Sequence, residues 1–291
     1  VTNVEQFEEH RRLLFSLAYR TLGSWADAED VVQDTFLRWQ AAKDEEVRSP
    51  RSYLTTIAAR LALDVLKSAQ KKRETYAGPW LPEPIVEPPT DSVELAESLS
   101  MAFLHLLESL SAPERVAFLL HEVFDTGYDE IAAVLQTTEA NARQIVSRAR
   151  KHIQDRRPRF SVDRARHEQV LRQFLTTCSN GDVAGLRAVL EADVVFYSDG
   201  GGKTGAALLP IYGVEKVTRL MLHLPARTGA DGGYHAELNG QPAFVLTRGG
   251  DPYSTLMLEL GPDDRIRSIF AVVNPEKLRH LCRPPDPGSD R

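Results

Sequence analysis

Asn141, Arg143, Gln144, Ser147, Arg148 and Lys151 fall within eleven residues of one another. Arginine offers guanine two parallel N–H donors, and glutamine or asparagine does the same for adenine. Asn141, Arg143, Gln144 and Ser147 are therefore candidate base readers. Arg148 and Lys151, with Arg150, are candidates for phosphate, which fixes register without reading sequence. A second basic group, Arg60, Lys67, Lys71 and Lys72, suits phosphate as well. Acid–base chemistry has three candidates, Asp199, His223 and His235. Asp199 opens a triple-glycine turn, where Asp commonly bonds its own backbone. Neither histidine has a spacing that demands catalysis, and no metal or nucleotide motif accompanies them. No catalytic residue, metal or cofactor is expected.

Formal net charge is −6, but it comes in blocks. Residues 47–73 hold seven bases and one acid, and residues 143–166 nine bases and two acids, whereas residues 74–142 hold one base and thirteen acids. Either basic stripe alone reads as a solvated helix face. Two of them, each ending a helical pattern, point to two polyanion contacts. The 291 residues, 42% hydrophobic, suffice for more than one core. No apolar run approaches the roughly 18 residues of a membrane span. The polar start, residues 1–12, predicts no export, and Cys178 and Cys282 form no metal motif or disulfide framework, which suits a reducing cytoplasm.

The elements that must position these residues follow from periodicity. Phe7, Leu13, Leu14, Leu17 and Leu22 recur at helical spacing up to Gly23. Ser24 and Asp27 cap a second helix. There Ala28, Val32, Phe36 and Trp39 face inward, Val31 and Leu37 widen the stripe, and Asp30, Gln33, Asp34 and Arg38 fall off it. After the polar loop 41–49, Pro50 opens a third helix in which Tyr53, Ile57, Leu61 and Val65 step by four. Prolines make residues 74–91 an extended linker. Its Trp80, Leu81, Ile85 and Val86 predict docking on a surface.

A second helical block covers 92–157. Ser111-Ala112-Pro113-Glu114 separates a helix at Val93–Leu110 from one at Arg115–Phe124. Tyr128–Leu135, the turn Gln136-Thr137 and a helix capped by Thr138 read as a helix-turn-helix, with Ala142, Ile145 and Ala149 inward. Beyond Arg166, helices are predicted at His167–Ser179, Val183–Leu190 and Val214–His223. Strands are predicted at Val194–Ser198, His235–Leu238, Ala243–Arg248, Tyr253–Leu260 and Ile266–Val273, with a hairpin at Asn239-Gly240. This order predicts an α+β domain. The tail after Cys282 is expected to be disordered.

Ala28–Trp39 resembles the region 2 helix with which bacterial sigma-70-type factors of the extracytoplasmic-function class grip the clamp coiled coil of RNA polymerase. Tyr53–Asp64 resembles the next helix, which lies against the minus-10 promoter element. Leu110–Arg150 resembles region 4, which reads the minus-35 element. The resemblance implies core RNA polymerase, through clamp coiled coil and flap, and promoter DNA as partners. It assigns polymerase binding to Asp30, Gln33, Asp34 and Leu37. Loop 41–49 matches the element that captures a flipped minus-10 base, with Lys43 and Arg48 on the strand backbone. Many region 4 units carry Gly where Gln136 stands, so a less tight turn is expected.

The remainder resembles the SnoaL-like branch of the nuclear-transport-factor-two-like fold, a curved antiparallel sheet wrapped by helices. One subgroup of these sigma factors carries such an extension, marked by WLPEP-type, DGGGK and NPDKL-type segments. Here they read Trp80-Leu81-Pro82-Glu83-Pro84, Asp199-Gly200-Gly201-Gly202-Lys203 and Asn274-Pro275-Glu276-Lys277-Leu278. The resemblance implies a regulatory domain in place of a separate anti-sigma protein, with Trp80, Leu81, Pro82, Asp199, Gly200, Gly201, Gly202, Lys203, Asn274, Pro275, Lys277 and Leu278 as regulatory interdomain contacts. It leaves room for a small-molecule ligand. The expected fold is multidomain: two all-α sigma domains, 1–76 and 92–157, a linker at 77–91, an α+β SnoaL-like cone domain at 158–282, and a tail at 283–291. The expected function is that of a cytoplasmic sigma factor controlled by its own C-terminal domain, with no membrane partner. A ligand-sensing helix-turn-helix regulator acting without polymerase is the alternative, and a cyclase or isomerase fused to a DNA-binding module is another. The ligand-sensing regulator leaves Asp30–Trp39 unexplained.

Overall fold

The computed structural model describes residues 3–42, 49–86, 99–154 and 163–281, and these fall into two compact units. Unit 1 takes the described residues of 1–75, 88–99 and 103–157; unit 2 takes those of 76–87, 100–102 and 158–291. Lys43, Arg48 and the tail after Cys282 lie outside the described residues.

Unit 1 opens with α1 (Asn3–Leu22), α2 (Trp25–Ala41) and α3 (Pro50–Arg73). Gly23, at φ +66°, ends α1, and the Ser24 and Ser49 hydroxyls accept the Asp27 and Ser52 amides, each at 3.3 Å, to start the next two helices. The most deeply buried row of α3 is not Tyr53, Ile57, Leu61 and Val65, of which only Ile57 is buried. It is Leu54, Ala58, Ala62 and Leu66, each fully buried, with Tyr53 exposed. Two alanines at the centre of that row let the neighbouring helices approach closely. Periodicity found the helix but placed its buried face one residue off.

Next come α4 (Met101–Leu107), α5 (Ala112–Glu122), α6 (Tyr128–Leu135) and α7 (Glu139–Gln154). Of the helix expected at Val93–Leu110, residues 93–98 lie outside the described residues, and the C-terminal end stops at Leu107. There the amides of Glu108, Ser109 and Leu110 turn to carbonyls three residues back. The turn between α6 and α7 is tight despite lacking glycine. Gln136 itself takes the left-handed conformation (φ +53°, ψ +50°), and the Thr137 amide reaches the Ala132 carbonyl at 2.9 Å. The looser turn is corrected: packing imposes the glycine-like geometry on Gln136, at a cost of about 1–2 kcal/mol.

One ionic triad ties these helices together. Glu108 accepts Arg73 Nη1 and Arg115 Nη1, both at 2.6 Å. The same arginines donate to the last carbonyls of α1, Arg73 to Leu22 at 2.7 Å and Arg115 to Thr21 at 3.0 Å. Cations thus close the negative end of α1 and a carboxylate neutralises them. Burial alone would push the Glu108 carboxyl up. The Arg115 and Arg73 charges and hydrogen bonds outweigh it and hold Glu108 below the ordinary carboxylate range.

In unit 2, α8 (Arg164–Asn180), α9 (Val183–Val189) and α10 (Val214–Thr228) accompany β1 (Leu190–Asp199), β2 (Ile211–Tyr212), β3 (Gly232–Leu238), β4 (Gln241–Arg248), β5 (Asp251–Leu260) and β6 (Ile266–Val272). The sheet order is β2-β1-β6-β5-β4-β3. The expected antiparallel sheet is corrected to a mixed one, because β1 and β6 run parallel. Non-local pairing of this kind leaves no turn signal. Two cores flank the sheet. One gathers Phe174, Leu186, Val217, Leu258 and Ile269 with α8–α10. The other gathers Leu81, Met257, Phe270, Val272 and Leu278. Leu81 and Ile85 are fully buried, so residues 76–86 pack as part of unit 2.

Replacing Glu108 by Ala strands two buried guanidinium groups, and unit 1 is expected to lose about 3–5 kcal/mol in urea unfolding. With the folded pKa depressed, this stabilisation is present above the ordinary carboxylate pKa, about 4.3, and fades as pH falls below it. Wild type therefore shows an acid-dependent loss of stability that Glu108→Ala lacks.

Candidate nucleic-acid and polymerase interfaces

On α2, Ala28, Val31, Val32, Thr35 and Trp39 are buried. Trp39 Nε1 donates to the Asn3 carbonyl at 2.7 Å, and the Phe7 and Phe36 rings meet at 4.8 Å, which fixes the rotation of the helix. Asp30, Gln33, Asp34 and Leu37 are left exposed in one stripe at i, i+3, i+4 and i+7. Leu37 does not widen the core stripe; it is 56% exposed and stands beside the two carboxylates. Acceptors around one apolar knob suit a surface bearing arginine and hydrophobic side chains.

The α7 helix divides as cleanly. Ala142, Ile145, Val146, Ala149 and Ile153 are buried, and Asn141, Arg143, Gln144, Ser147, Arg148 and Lys151 are exposed on the other side. Thr138 Oγ1 accepts the Asn141 amide at 3.2 Å, and the Asn141 side chain donates to Thr137 Oγ1 at 2.8 Å. Arg143 pairs with Glu139 and lies over the Tyr128 ring, 4.4 Å from its centroid. Arg150 pairs with an acid of a neighbouring helix. Its Nε donates to Glu122 at 3.1 Å.

Lys67, Lys71 and Lys72 are exposed at the end of α3, Lys67 in a loose pair with Asp64. Arg60 has a partner within the fold. Its Nη2 donates to the Ala133 carbonyl at 2.7 Å, supplying a donor to the last turn of α6.

In unit 2 the three marked segments converge on Asp199, which is fully buried. Its carboxylate accepts Tyr76 Oη at 2.5 Å, the Leu81 amide at 2.8 Å, the Gly201 amide at 3.1 Å and Lys277 Nζ at 2.7 Å. Lys277 also donates to the Leu81 carbonyl and sits 3.9 Å from the Trp80 ring centroid. Burial, then the hydrogen bond to Asp199, holds the Tyr76 phenol above its usual range, which keeps it a donor. Asn274 Nδ2 donates to Tyr76 Oη at 2.9 Å, and the Asn274 amide reaches the Asp199 carbonyl at 2.8 Å. Gly201 must be glycine here: its φ is +58°, and a Cβ would stand 2.4 Å from Asn274 Nδ2.

Pro82, Gly200 and Leu278 are buried around this node, while Gly202 and Pro275 are exposed and Lys203 pairs with Glu276 at its rim. Asn239, at the hairpin turn, exchanges two backbone-directed bonds with Ile85, at 2.8 and 3.1 Å. Tyr76 and His280, which donates to the Pro84 carbonyl, were absent from the sequence reading, and Asn239 was read there as a hairpin residue without its bond to Ile85. Only their neighbourhood to a marked segment or turn could have signalled them. His223 and His235 are exposed, and neither touches Asp199 through a bond of that carboxylate. Among the described residues no cluster of His, Cys, Asp and Glu could hold a metal ion, and no helix is long and apolar enough to cross a membrane.

Residues 6–72 match the Sigma-70 region 2 family and residues 100–153 the Sigma-70 region 4 family. The ECF RNA polymerase sigma factor SigJ of Mycobacterium tuberculosis is 37% identical over 94% of this chain and 93% of its own. The probable ECF RNA polymerase sigma factor SigI of the same organism is 36% identical over 64% of this chain and 66% of its own. The crystal structure of the M. tuberculosis SigJ superimposes with a TM-score of 0.75 at 34% identity, covering 95% of this chain and 98% of that one.

Lys277→Met removes the cation from a buried carboxylate and keeps most of the apolar stem, one atom shorter, and unit 2 is expected to lose about 3–5 kcal/mol in chemical unfolding. Asp199→Asn in the same chain should recover part of that loss. Equal stability of Lys277→Met and wild type would show that the ion pair is not what holds the segments together.

Proposed function

The chain belongs to the ECF RNA polymerase sigma factors, and from that membership we propose how its surfaces divide the work of bringing polymerase to a promoter. Asp30, Gln33, Asp34 and Leu37 dock on the clamp coiled coil of core polymerase, and region 4 meets its flap. Lys67, Lys71 and Lys72, with Lys43 and Arg48, hold phosphates at the minus-10 element. Arg143 and Gln144, beside Asn141 and Ser147, read base edges at the minus-35 element, while Arg148 and Lys151 hold its phosphates. The observation that carries this division is the α2 stripe, where a 56% exposed leucine stands among outward carboxylates. Acceptors grouped around an apolar side chain suit a partner surface bearing arginine and hydrophobic residues. The protein works in the cytoplasm, beside polymerase and DNA.

Region 2 lies within 1–75, Tyr76 packing with the C-terminal domain, and region 4 covers 92–157. The C-terminal domain, 158–282, governs activity through the strap at 77–91, whose Trp80, Leu81 and Pro82 are held by the Asp199–Lys203 turn and the Asn274–Leu278 segment. No catalytic step is assigned to it. A strap locked into this domain sets what the chain on either side of it can reach.

Two experiments test this reading. Asp30→Lys with Asp34→Lys is expected to weaken core-polymerase binding by about tenfold or more, because like charges across an interface cost several kcal/mol. Circular dichroism of the free protein should stay unchanged, since both residues are exposed. Undiminished binding by the folded double variant would remove α2 from the interface. In run-off transcription, a chain ending before Asn274 loses Lys277 and a chain ending near Arg166 loses the whole domain. Both are expected to transcribe less than the full chain. Wild-type transcription and core affinity from the chain ending near Arg166 would refute control by the domain.

A further inference from the structure

Arg143 is the one candidate base reader whose side chain lies over an aromatic ring, and that ring comes from outside the recognition helix. Tyr128 opens α6, is half-buried, and presents its face 4.4 Å from the Arg143 guanidinium. The ring is itself held. Tyr128 Oη lies 2.9 Å from His121 Nε2, and the two rings stand 4.4 Å apart at 37°. His121 Nδ1 lies 3.3 Å from the Thr126 carbonyl, which can only accept. Nδ1–H therefore donates there, and Nε2 is left to accept the Tyr128 hydroxyl proton. The Thr126 carbonyl is fixed in turn. Asp125 takes a left-handed φ of +50°, and the Thr126 amide bonds the Leu120 carbonyl at 2.9 Å.

The chain of support thus runs from the end of α5, through a strained turn, to an aromatic shelf under a side chain of α7. A guanidinium stacks by its face and reads guanine by its edge. The shelf and the base therefore do not compete for the same part of Arg143. Glu139 engages Nη2 from the same helix and restricts rotation in the plane. Without the shelf, a long exposed side chain samples many rotamers and meets the base in only some of them.

We propose that Tyr128 is a specificity-determining positioning residue: its ring, braced by His121, holds the Arg143 guanidinium in the pose that reads a base pair of the minus-35 element. This rests on the reading that Arg143 contacts a base edge. Tyr128 needs no contact with DNA to do it. Its effect falls on the one base pair that Arg143 reads, and only weakly on affinity for DNA in general.

The test uses the full chain bound to core polymerase. The probe is a promoter fragment recovered by run-off transcription of genomic DNA, with each base pair of its minus-35 element replaced in turn. Arg143→Ala is expected to abolish preference at one position. Tyr128→Leu should reduce preference at that same position by about two- to fivefold, the range of an exposed cation–π contact. Tyr128→Phe, which keeps the ring but not its hydroxyl bond to His121, should restore most of it, and thermal unfolding checks that each variant is folded. Preference at that position unchanged in Tyr128→Leu, or reduced evenly at all positions, would overturn the proposal while leaving Arg143 as a reader. An Arg143→Ala protein with every preference intact would overturn the underlying assignment and Tyr128's role with it.

Discussion

A carboxylate withdrawn from water is costly unless donors replace the solvent it loses, and Asp199 replaces it with a phenol, two backbone amides and an ammonium group. Those donors come from three remote parts of the chain. Tyr76 and Leu81 precede the domain, Gly201 belongs to the turn after β1, and Lys277 follows β6. The last strand of the domain and the strap before it are thereby committed to one point. The apolar strap then covers a face of the sheet that would otherwise meet water, with Leu81 and Ile85 fully buried. A proline-rich stretch that composition alone makes a spacer becomes a structural part of the domain it leads to.

The same physics organises the sigma unit, again around a buried carboxylate. There the buried anion is Glu108, and its two arginines also satisfy carbonyls that α1 leaves open at its end. Each arginine answers two demands at once, which is the condition under which a buried ion pair is tolerated. Arg60 does the same on a smaller scale, tying α3 to the end of α6 rather than standing free. The basic residues of this unit therefore do not all serve one purpose. Some close helix ends, and others, such as Lys71, Lys72, Arg148 and Lys151, are left outward.

That division bears on function because outward positions are set by inward packing. The α2 stripe faces out because Val31, Thr35 and Trp39 face in, and the α7 readers face out because Ala142, Ile145 and Ala149 do. The left-handed Gln136 keeps α6 and α7 at the separation that places Tyr128 beneath Arg143. Recognition chemistry on one helix thus depends on a turn and a ring contributed by another.

Local patterns carry what the sequence determined unaided. Capping serines, helical periodicity, the Asn239-Gly240 hairpin and the polar face of α2 act over a few residues, so their meaning is complete within a short window. The order of the sigma-like helices and the three marked segments was legible for the same reason. Tertiary structure decided whatever depends on partners distant in the chain. It chose the buried row of α3, where the close approach of other helices favours Ala58 and Ala62 over the larger neighbours. It set β1 parallel to β6, a pairing without a turn to announce it. It also gave Arg60 and Arg150 partners within the fold, a carbonyl and a carboxylate. Above all it gathered Tyr76, Asp199, Asn274 and Lys277 around one buried charge, because the energy of burying that charge is defined only once the chain has folded around it.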